Sequence, residues 1–204
     1  KVEPWNAGPL KLSTPQSSSP RVHFPFAEFC GSPHDIGTQH GEAFQDLIRL
    51  QLAETMTTAM TGGMTADTAL AWVHAQRPKI ESIGPHWIDE IQGLANGAAI
   101  SFNEALALQI RPGTDGLSEG CTSFAAVGST TVNRSNLAGQ NRDLGESYLH
   151  RMFVSVLRPD NRPDILMHSV PGELGGTGIN GYGVAIFANS LWAKSGRTWM
   201  APPV

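Results

Sequence analysis

The chain is short of cysteines, basic clusters and long apolar runs, and each shortage argues against a class of protein. Two cysteines in 204 residues are too few for a disulfide scaffold, so we expect a reduced, cytoplasmic protein. Lysine and arginine number 14 against 18 acidic residues and form no cluster, so we expect no nucleic-acid partner. No stretch approaches the roughly 18 apolar residues of a membrane span, and no apolar leader follows a basic start. We therefore expect no membrane partner.

The remaining composition is that of an ordinary globular domain. Hydrophobic residues make up 40% and charged residues 16% of the chain, and a chain of this length can bury a sizeable core. Proline and serine crowd the start, which predicts a flexible tail over residues 1–22. A mostly helical segment is expected over 23–120 and a β-rich segment over 121–204.

Helix signals fill the middle segment. Ser32-Pro33-His34-Asp35 combines a cap, a proline at the first helical position and an acid in the first turn. Apolar residues at helical spacing then continue as one helix to Gly62-Gly63. Further helices are predicted over residues 67–76 (before Pro78), 88–95 and 102–110, the last behind a Ser101–Glu104 capping box.

Strand signals dominate the second half. Strands are predicted over residues 22–29, 121–127, 137–141, 151–157, 165–170 and 184–189, with a glycine-rich loop over 171–183. That loop contains a G-x-G-x-x-G run from Gly176 to Gly181, which matches a dinucleotide-binding pattern. A true fingerprint opens a helix, whereas β-prone residues follow this one, so we predict no nucleotide site.

Gly120-Cys121-Thr122-Ser123 carries the strongest indication of chemistry. Cys121 stands where helix-like sequence gives way to strand-like sequence, directly after a glycine that tolerates strained backbone. Cleavage of the Gly120–Cys121 bond would place a thiol and a free α-amine on one residue. Such a residue can supply both the nucleophile and the base of an amide-cleaving reaction. The alternative is a buried structural cysteine, which is a common fate of free cysteines.

Two further segments could complete such a site. The run from Gly139 to Asp143 ends a predicted strand, and pairing beside the Cys121 strand would let Asp143 reach the new amine. The alternative for Asp143 is a solvated turn residue. Asn189 closes the last predicted strand and could contribute an oxyanion contact, with a turn cap as its alternative.

The histidines and the other cysteine indicate no cofactor. The histidines show no metal-ligand spacing, so we expect neither a metal nor a cofactor. Cys30 precedes the first helix and is expected to be a small buried residue. A Cys30–Cys121 disulfide is the alternative, and it would leave the Cys121 sulfur unable to act as a nucleophile.

Together these segments resemble the acyl-coenzyme A:6-aminopenicillanate acyltransferase (isopenicillin N acyltransferase) family, the peptidase C45 class of N-terminal-nucleophile (Ntn) hydrolases. The matching segments are Gly31 to Gly41, Gly120 to Ser123, Gly139 to Asp143 and Gly178 to Val184. The resemblance extends from about residue 23 to the end of the chain.

The resemblance implies an α+β fold, the αββα sandwich, made as a precursor. Residues 23–120 would be the helical pro-region or small subunit, and 121–204 would begin the catalytic subunit. The family pattern continues beyond Val204 with further strands, another oxyanion residue and an arginine near the substrate. Self-cleavage between Gly120 and Cys121 would leave the two products associated as a heterodimer.

The resemblance also implies residue roles. Cys121 would be the nucleophile, Asp143 the partner of its amine and Asn189 an oxyanion contributor. The substrate-binding residues would be Gln140, Asn141 and Arg142. The substrate would be a small acylated molecule such as a penicillin-type side chain, an acyl-amino acid or a small peptide. Acyl-coenzyme A would be a substrate, and no cofactor is implied.

Other functions stay open at this stage. Choloylglycine and penicillin V amidases are similar, but they have an arginine where this chain has Gln140, which favours the first family. Arg142 stands where that family often has an aromatic residue, so a more polar pocket is expected. The remaining alternatives are a truncated, inactive paralogue and a non-catalytic interaction module in which Cys121 is merely buried.

Overall fold

A computed structural model describes residues 24–113 and 120–189, and the predicted tail over 1–22 lies outside that part. The helices there are α1 Pro33–Ala43, α2 Gln45–Thr61, α3 Ala66–Ile83, α4 Pro85–Ala98 and α5 Phe102–Ile110. The strands are β1 Phe26–Gly31, β2 Gly120–Ala126, β3 Leu137–Asp143, β4 Phe153–Pro159, β5 Ile165–Ser169, β6 Thr177–Asn180 and β7 Ala185–Ile186. Short 3₁₀ turns span Gly128–Thr130 and Glu146–His150.

The strands form two sheets. The larger has the order β1-β4-β5-β6-β7, and the smaller is the β2-β3 hairpin. Strand β1 pairs with β4 in parallel, whereas every other pairing among the described strands is antiparallel. The helices precede β2 and the remaining strands follow, so the architecture is mixed and compatible with the expected α+β class.

The predicted Ser32 cap and the predicted Ser101–Glu104 capping box are confirmed, and the Ser32 cap is a full capping box with Asp35. The Ser32 hydroxyl accepts a hydrogen bond from the Asp35 amide (3.2 Å), and the Asp35 carboxylate accepts one from the Ser32 amide (3.1 Å). Ser101 and Glu104 form the same reciprocal pair at the start of α5. Each cap satisfies amides that the first turn leaves unpaired, which contributes about 1 kcal/mol.

The single helix predicted from Pro33 to Gly62 is wrong, because the chain divides at Phe44. Phe44 leaves the helical region (φ −127°, ψ 26°). Its ring stacks on Phe153 of β4 with a centroid distance of 4.2 Å. The break therefore ends α1, which packs on the sheet through Ile36, and a separate helix α2 begins at Gln45. A hydrophobic pattern does not reveal such a break.

Three other boundaries also differ from the predictions. Helix α3 continues through Pro78 to Ile83 instead of ending before the proline. Proline removes only one backbone hydrogen bond, and the buried side chains of Val73 and Ile80 hold the two halves of α3 on the core. The predicted loop over 171–183 contains β6, which pairs with β5, while the predicted last strand shortens to the two residues of β7.

Helices α1 and α4 touch through their backbones at two pairs of glycines. A Cβ added to Gly37 would lie 2.0 Å from the Glu90 carbonyl oxygen, and one added to Gly93 would lie 2.0 Å from the carbonyl oxygen of His34. Gly41 and Gly97, one turn further along, meet backbone atoms at 2.6 and 2.2 Å in the same way. Only glycine permits so close an approach, so these four glycines determine how closely α1 and α4 pack.

Two groups of buried apolar side chains form the core. The larger lies among α2, α3, α4 and α5 and includes Ile48, Val73, Ile91, Leu94 and Leu106. The smaller joins Phe29 of β1, Ile36 of α1 and Phe153 of β4. This second group attaches the helices to the larger sheet.

His40 lies inside the second group as a buried neutral ring. Its side chain is surrounded by Phe29, Phe44 and Phe153, with centroid distances of 5.5 to 6.0 Å. Its Nε2 atom accepts a hydrogen bond from the Gly172 amide at 3.1 Å. Burial lowers the pKa of His40 to about 4, so it is an uncharged acceptor at neutral pH.

This environment predicts an acid-sensitive fold. The unfolded chain protonates His40 near pH 6.5, whereas the folded chain resists protonation until about pH 4. Stability is therefore fully present above pH 6.5 and falls by roughly 3 kcal/mol as the pH approaches 4. Urea unfolding of the wild type and His40→Gln between pH 7 and 4.5 tests this. The variant keeps a hydrogen-bond acceptor but cannot titrate at this position. Its free energy of unfolding should therefore change less with pH than that of the wild type. An equal dependence on pH in the two proteins would contradict the prediction.

Candidate active site

The hairpin of β2 and β3 brings the predicted cleavage site beside the polar segment. In its register Gly120 is opposite Asp143, Cys121 is opposite Arg142 and Ser123 is opposite Gln140. Opposed residues of an antiparallel pair share a face, and alternate residues share it too. Cys121, Ser123, Gln140 and Arg142 therefore lie on one face of the hairpin.

Asp143 lies directly at the residue that precedes Cys121. A Cβ added to Gly120 would lie 2.6 Å from the Asp143 Oδ2 atom, so the carboxylate covers the Gly120 α-carbon. Gly120 itself is exposed and Cys121 is half-buried. A carboxylate thus stands next to the Gly120–Cys121 peptide bond.

Asn189 reaches the same hairpin from the other end of the chain. Its Nδ2 atom donates to the Ser123 hydroxyl at 2.7 Å, and its Oδ1 atom accepts from Gln140 Nε2 at 2.9 Å. Ser123 lies two residues from Cys121 on the same face. An amide NH₂ carries two hydrogens, and Ser123 takes only one of them. Asn189 can therefore offer a second hydrogen to another acceptor near Cys121.

Gln140 links the two sheets. Its Nε2 atom also donates to the carbonyl oxygen of Ala188 (2.5 Å), and its Oε1 atom accepts from the Thr177 hydroxyl on β6 (2.5 Å). All the polar atoms of this amide are thus used in structural contacts. The position predicted to bind substrate is held rigidly, and it holds Asn189 in turn.

A cavity of about 760 Å³, here called the polar cavity, lies between β3, the 3₁₀ turn Glu146–His150 and the sheet. Its lining includes Gln140, Asn141, Arg142, Asp143, Tyr148 and His168. The three residues expected to bind substrate therefore share one cavity with Asp143. The volume is in the range of small-molecule sites.

His168 is a lining residue that sequence reasoning missed. Its Nε2 atom lies 3.0 Å from the Met152 sulfur. Burial and then the Arg142 charge lower the pKa of His168, which favours a neutral ring. Metal-ligand spacing does not reveal this histidine, whereas strand alternation does. His168 lies on β5 between Met167 and Ser169 and so faces the opposite side from both.

The prediction for Cys30 is wrong. Cys30 is exposed, because its neighbour Phe29 takes the buried face of β1 and alternate residues turn outward. Its backbone amide and carbonyl are hydrogen-bonded by the side chain of Gln39. Cys30 and Cys121 are both free thiols, so the disulfide alternative does not occur.

Within residues 24–113 and 120–189, no group of three or more histidine, cysteine or acidic side chains could hold a metal ion. No helix in those ranges is long and apolar enough to cross a bilayer.

The fold and the site define a mixed α/β protein in which a half-buried cysteine follows an exposed glycine beside a polar cavity.

No family model matches the chain. The chain is 28% identical over 169 residues to the 40 kDa form of acyl-coenzyme A:6-aminopenicillanic-acid-acyltransferase from Emericella nidulans. The aligned region is 79% of this chain and 45% of that relative, so the chain spans less than half the relative's length. The match supports a distant relationship to this acyltransferase.

Proposed function

We propose that the protein is an enzyme of the Ntn type, a cysteine amidohydrolase or acyltransferase that activates itself by cleavage before Cys121, within an αββα sandwich. The observation that carries the proposal is the position of Asp143 directly across the hairpin from the Gly120–Cys121 bond. The distant similarity to an acyltransferase supports the same class of reaction.

Self-cleavage in this proposal is an acyl shift followed by hydrolysis. The Cys121 sulfur adds to the Gly120 carbonyl carbon, the C–N bond breaks, and the thiol proton passes to the nitrogen. The resulting thioester between the Gly120 carbonyl and the Cys121 sulfur is then hydrolysed by water. Gly120 keeps the new carboxylate, and Cys121 keeps a free thiol and a free α-amine.

Turnover then uses that amine as the base. The amine takes the thiol proton while sulfur attacks the substrate's carbonyl carbon, and Asp143 holds the amine in position. Asn189 donates its second amide hydrogen to the oxygen that becomes negative. The C–N or C–S bond of the substrate breaks, and the leaving group takes the proton. Water or an amine then accepts the acyl group, which restores the thiol.

The substrate in this proposal is a small acylated molecule bound in the polar cavity. Asn141 and Arg142 line it, while Gln140 fixes its wall. Acyl-coenzyme A would serve as an acyl donor and not as a cofactor. The charge of Arg142 favours a donor or acceptor with an anionic group.

The contacts across the proposed cleavage point support a lasting heterodimer. Strand β1 precedes Cys121 and pairs along its length with β4, which follows it. Arg151, 5% exposed at its side chain, forms an ion pair with Glu54 and donates to Gln51 at 2.8 Å. His40 accepts from Gly172 across the same boundary. Two separated chains would keep these contacts.

Intact mass of the protein expressed from its complete reading frame tests the proposal. The wild type should give two chains that divide between Gly120 and Cys121, because Cys121 supplies the attacking sulfur. Cys121→Ala should give one uncut chain. Cys30→Ala is the matched control, because it removes the other free cysteine, which is exposed on β1, and should still be cut.

An uncut wild type, with Cys121 slow to alkylate under native conditions, would contradict the proposal. The protein would then be the inactive paralogue or the interaction module. Cleavage that persists in Cys121→Ala would contradict it as well, because a contaminating protease would explain that result.

A further inference from the structure

A second cavity lies on the opposite side of the larger sheet from the polar cavity. Its volume is about 620 Å³, and it lies between the start of α1, the helices α3 and α4, and strands β4 and β5. On β5, Ile165 and Met167 line this cavity, whereas His168 lines the polar cavity. Alternate residues of a strand face opposite sides of its sheet. We call this second space the helix-side cavity.

The walls of the helix-side cavity are mainly apolar, and Glu90, Asp160 and Arg162 supply its charged lining. Ile36, Ile91, Leu157 and Met167 are among the apolar lining. Among the described residues, the Glu90 and Arg162 side chains form neither a hydrogen bond nor an ion pair with each other. Neither side chain forms an ion pair with any other residue of the described part of the chain.

Glu90 and Arg162 line the same cavity, and the charge of Arg162 acts on the titration of Glu90. Burial raises the pKa of Glu90 to about 7, and the nearby charge of Arg162 opposes the rise. Burial and then the same Arg162 charge lower the pKa of His86, another lining residue. Glu90 is half-buried, and a cationic group of a ligand would be a charged partner for its carboxyl.

We propose that the helix-side cavity binds a small zwitterion with an apolar body, namely an apolar α-amino acid. The Glu90 carboxylate would hold the ammonium group, Arg162 would hold the carboxylate, and the apolar walls would take the side chain. A zwitterion supplies an ammonium group to Glu90 and a carboxylate to Arg162. This binding does not depend on the proposed catalysis, because the polar cavity shares no lining residue with this one.

Calorimetric titration of the full-length protein with L-phenylalanine tests the assignment. Two probes remove one charge each: N-acetyl-L-phenylalanine lacks the ammonium group, and L-phenylalaninamide lacks the carboxylate. Saturable binding of phenylalanine is expected, with each probe at least about tenfold weaker, since a charged hydrogen bond is worth about 1.5–3 kcal/mol and 1.4 kcal/mol is tenfold.

Variants assign each charge to its residue. Glu90→Gln should weaken phenylalanine about tenfold or more and leave the N-acetyl probe unchanged. Arg162→Gln should weaken phenylalanine likewise and leave the amide probe unchanged. Arg49→Gln, an exposed position on α2, should change nothing. Urea midpoints establish that every variant is folded.

Three results would overturn the assignment. One is the absence of saturable phenylalanine binding. Another is equal affinity for all three ligands, which would indicate apolar partition alone. The third is binding that survives both Glu90→Gln and Arg162→Gln but is lost in Arg142→Gln, because the ligand would then occupy the polar cavity.

Discussion

Gly93→Ala should destabilise the protein by at least about 3 kcal/mol. The new Cβ would lie 2.0 Å from the His34 carbonyl oxygen, which belongs to the backbone of α1 and cannot rotate away. The substitution forces α1 and α4 either to separate or to distort. We expect the resulting loss in the free energy of unfolding to exceed the usual 1–3 kcal/mol of an overpacked core. Helix propensity offsets only about 1 kcal/mol of this loss, because alanine is favoured over glycine in a helix.

Urea unfolding followed by circular dichroism measures this effect. Gly175→Ala is the matched control: it adds the same methyl group where no atom lies within 4 Å of the new Cβ. The control should stay within about 0.5 kcal/mol of the wild type. A Gly93→Ala protein as stable as the wild type would show that the helices do not cross at this distance.

Asn189→Ala should lower kcat by about 100- to 1000-fold with little change in KM, if Asn189 donates to the developing oxyanion. A donor that acts only in the transition state contributes to kcat and hardly to substrate binding. The measurement is thiol release from an acyl thioester by protein that has already been cleaved. Self-cleavage should slow as well, because it passes through a similar negative oxygen.

Ser123→Ala separates donation from positioning. The serine hydroxyl only accepts from Asn189 Nδ2, and Gln140 still holds the other side of the Asn189 amide. Its loss should cost about tenfold or less, in keeping with one neutral hydrogen bond of about 1 kcal/mol. Equal losses in the two variants would mean that Asn189 acts by positioning β2 and not as an oxyanion donor.

Local patterns in the sequence predicted the elements that depend on local chemistry. The Ser32 cap and the Ser101–Glu104 capping box were found because each depends only on residues within one helical turn. Helix α5 was predicted with its correct bounds for the same reason. The strands β2 and β3 were found from β-prone runs, and their pairing places Cys121 and Asp143 on neighbouring strands.

Features that depend on distant contacts were missed. The division at Phe44 depends on stacking against Phe153, far along the chain. Nothing in the sequence near Pro78 shows that Val73 and Ile80 are buried by other helices. The helix-side cavity likewise depends on bringing Glu90 and Arg162 into one lining from separate parts of the chain, and neither residue belongs to a motif.

The pairing of β1 with β4 also has a consequence for the time course of folding. Glu28 and Arg158 are joined across these strands although they lie 130 residues apart in sequence. At synthesis rates of about 5–20 residues per second, β1 waits about 6–26 seconds on the ribosome before its partner exists. During that interval the exposed Phe26 and the free edge of β1 are open to pairing with other chains. The glycine crossing of α1 and α4 needs only residues up to Ala98 and can form earlier, which would hold the start of the chain compact until β4 emerges.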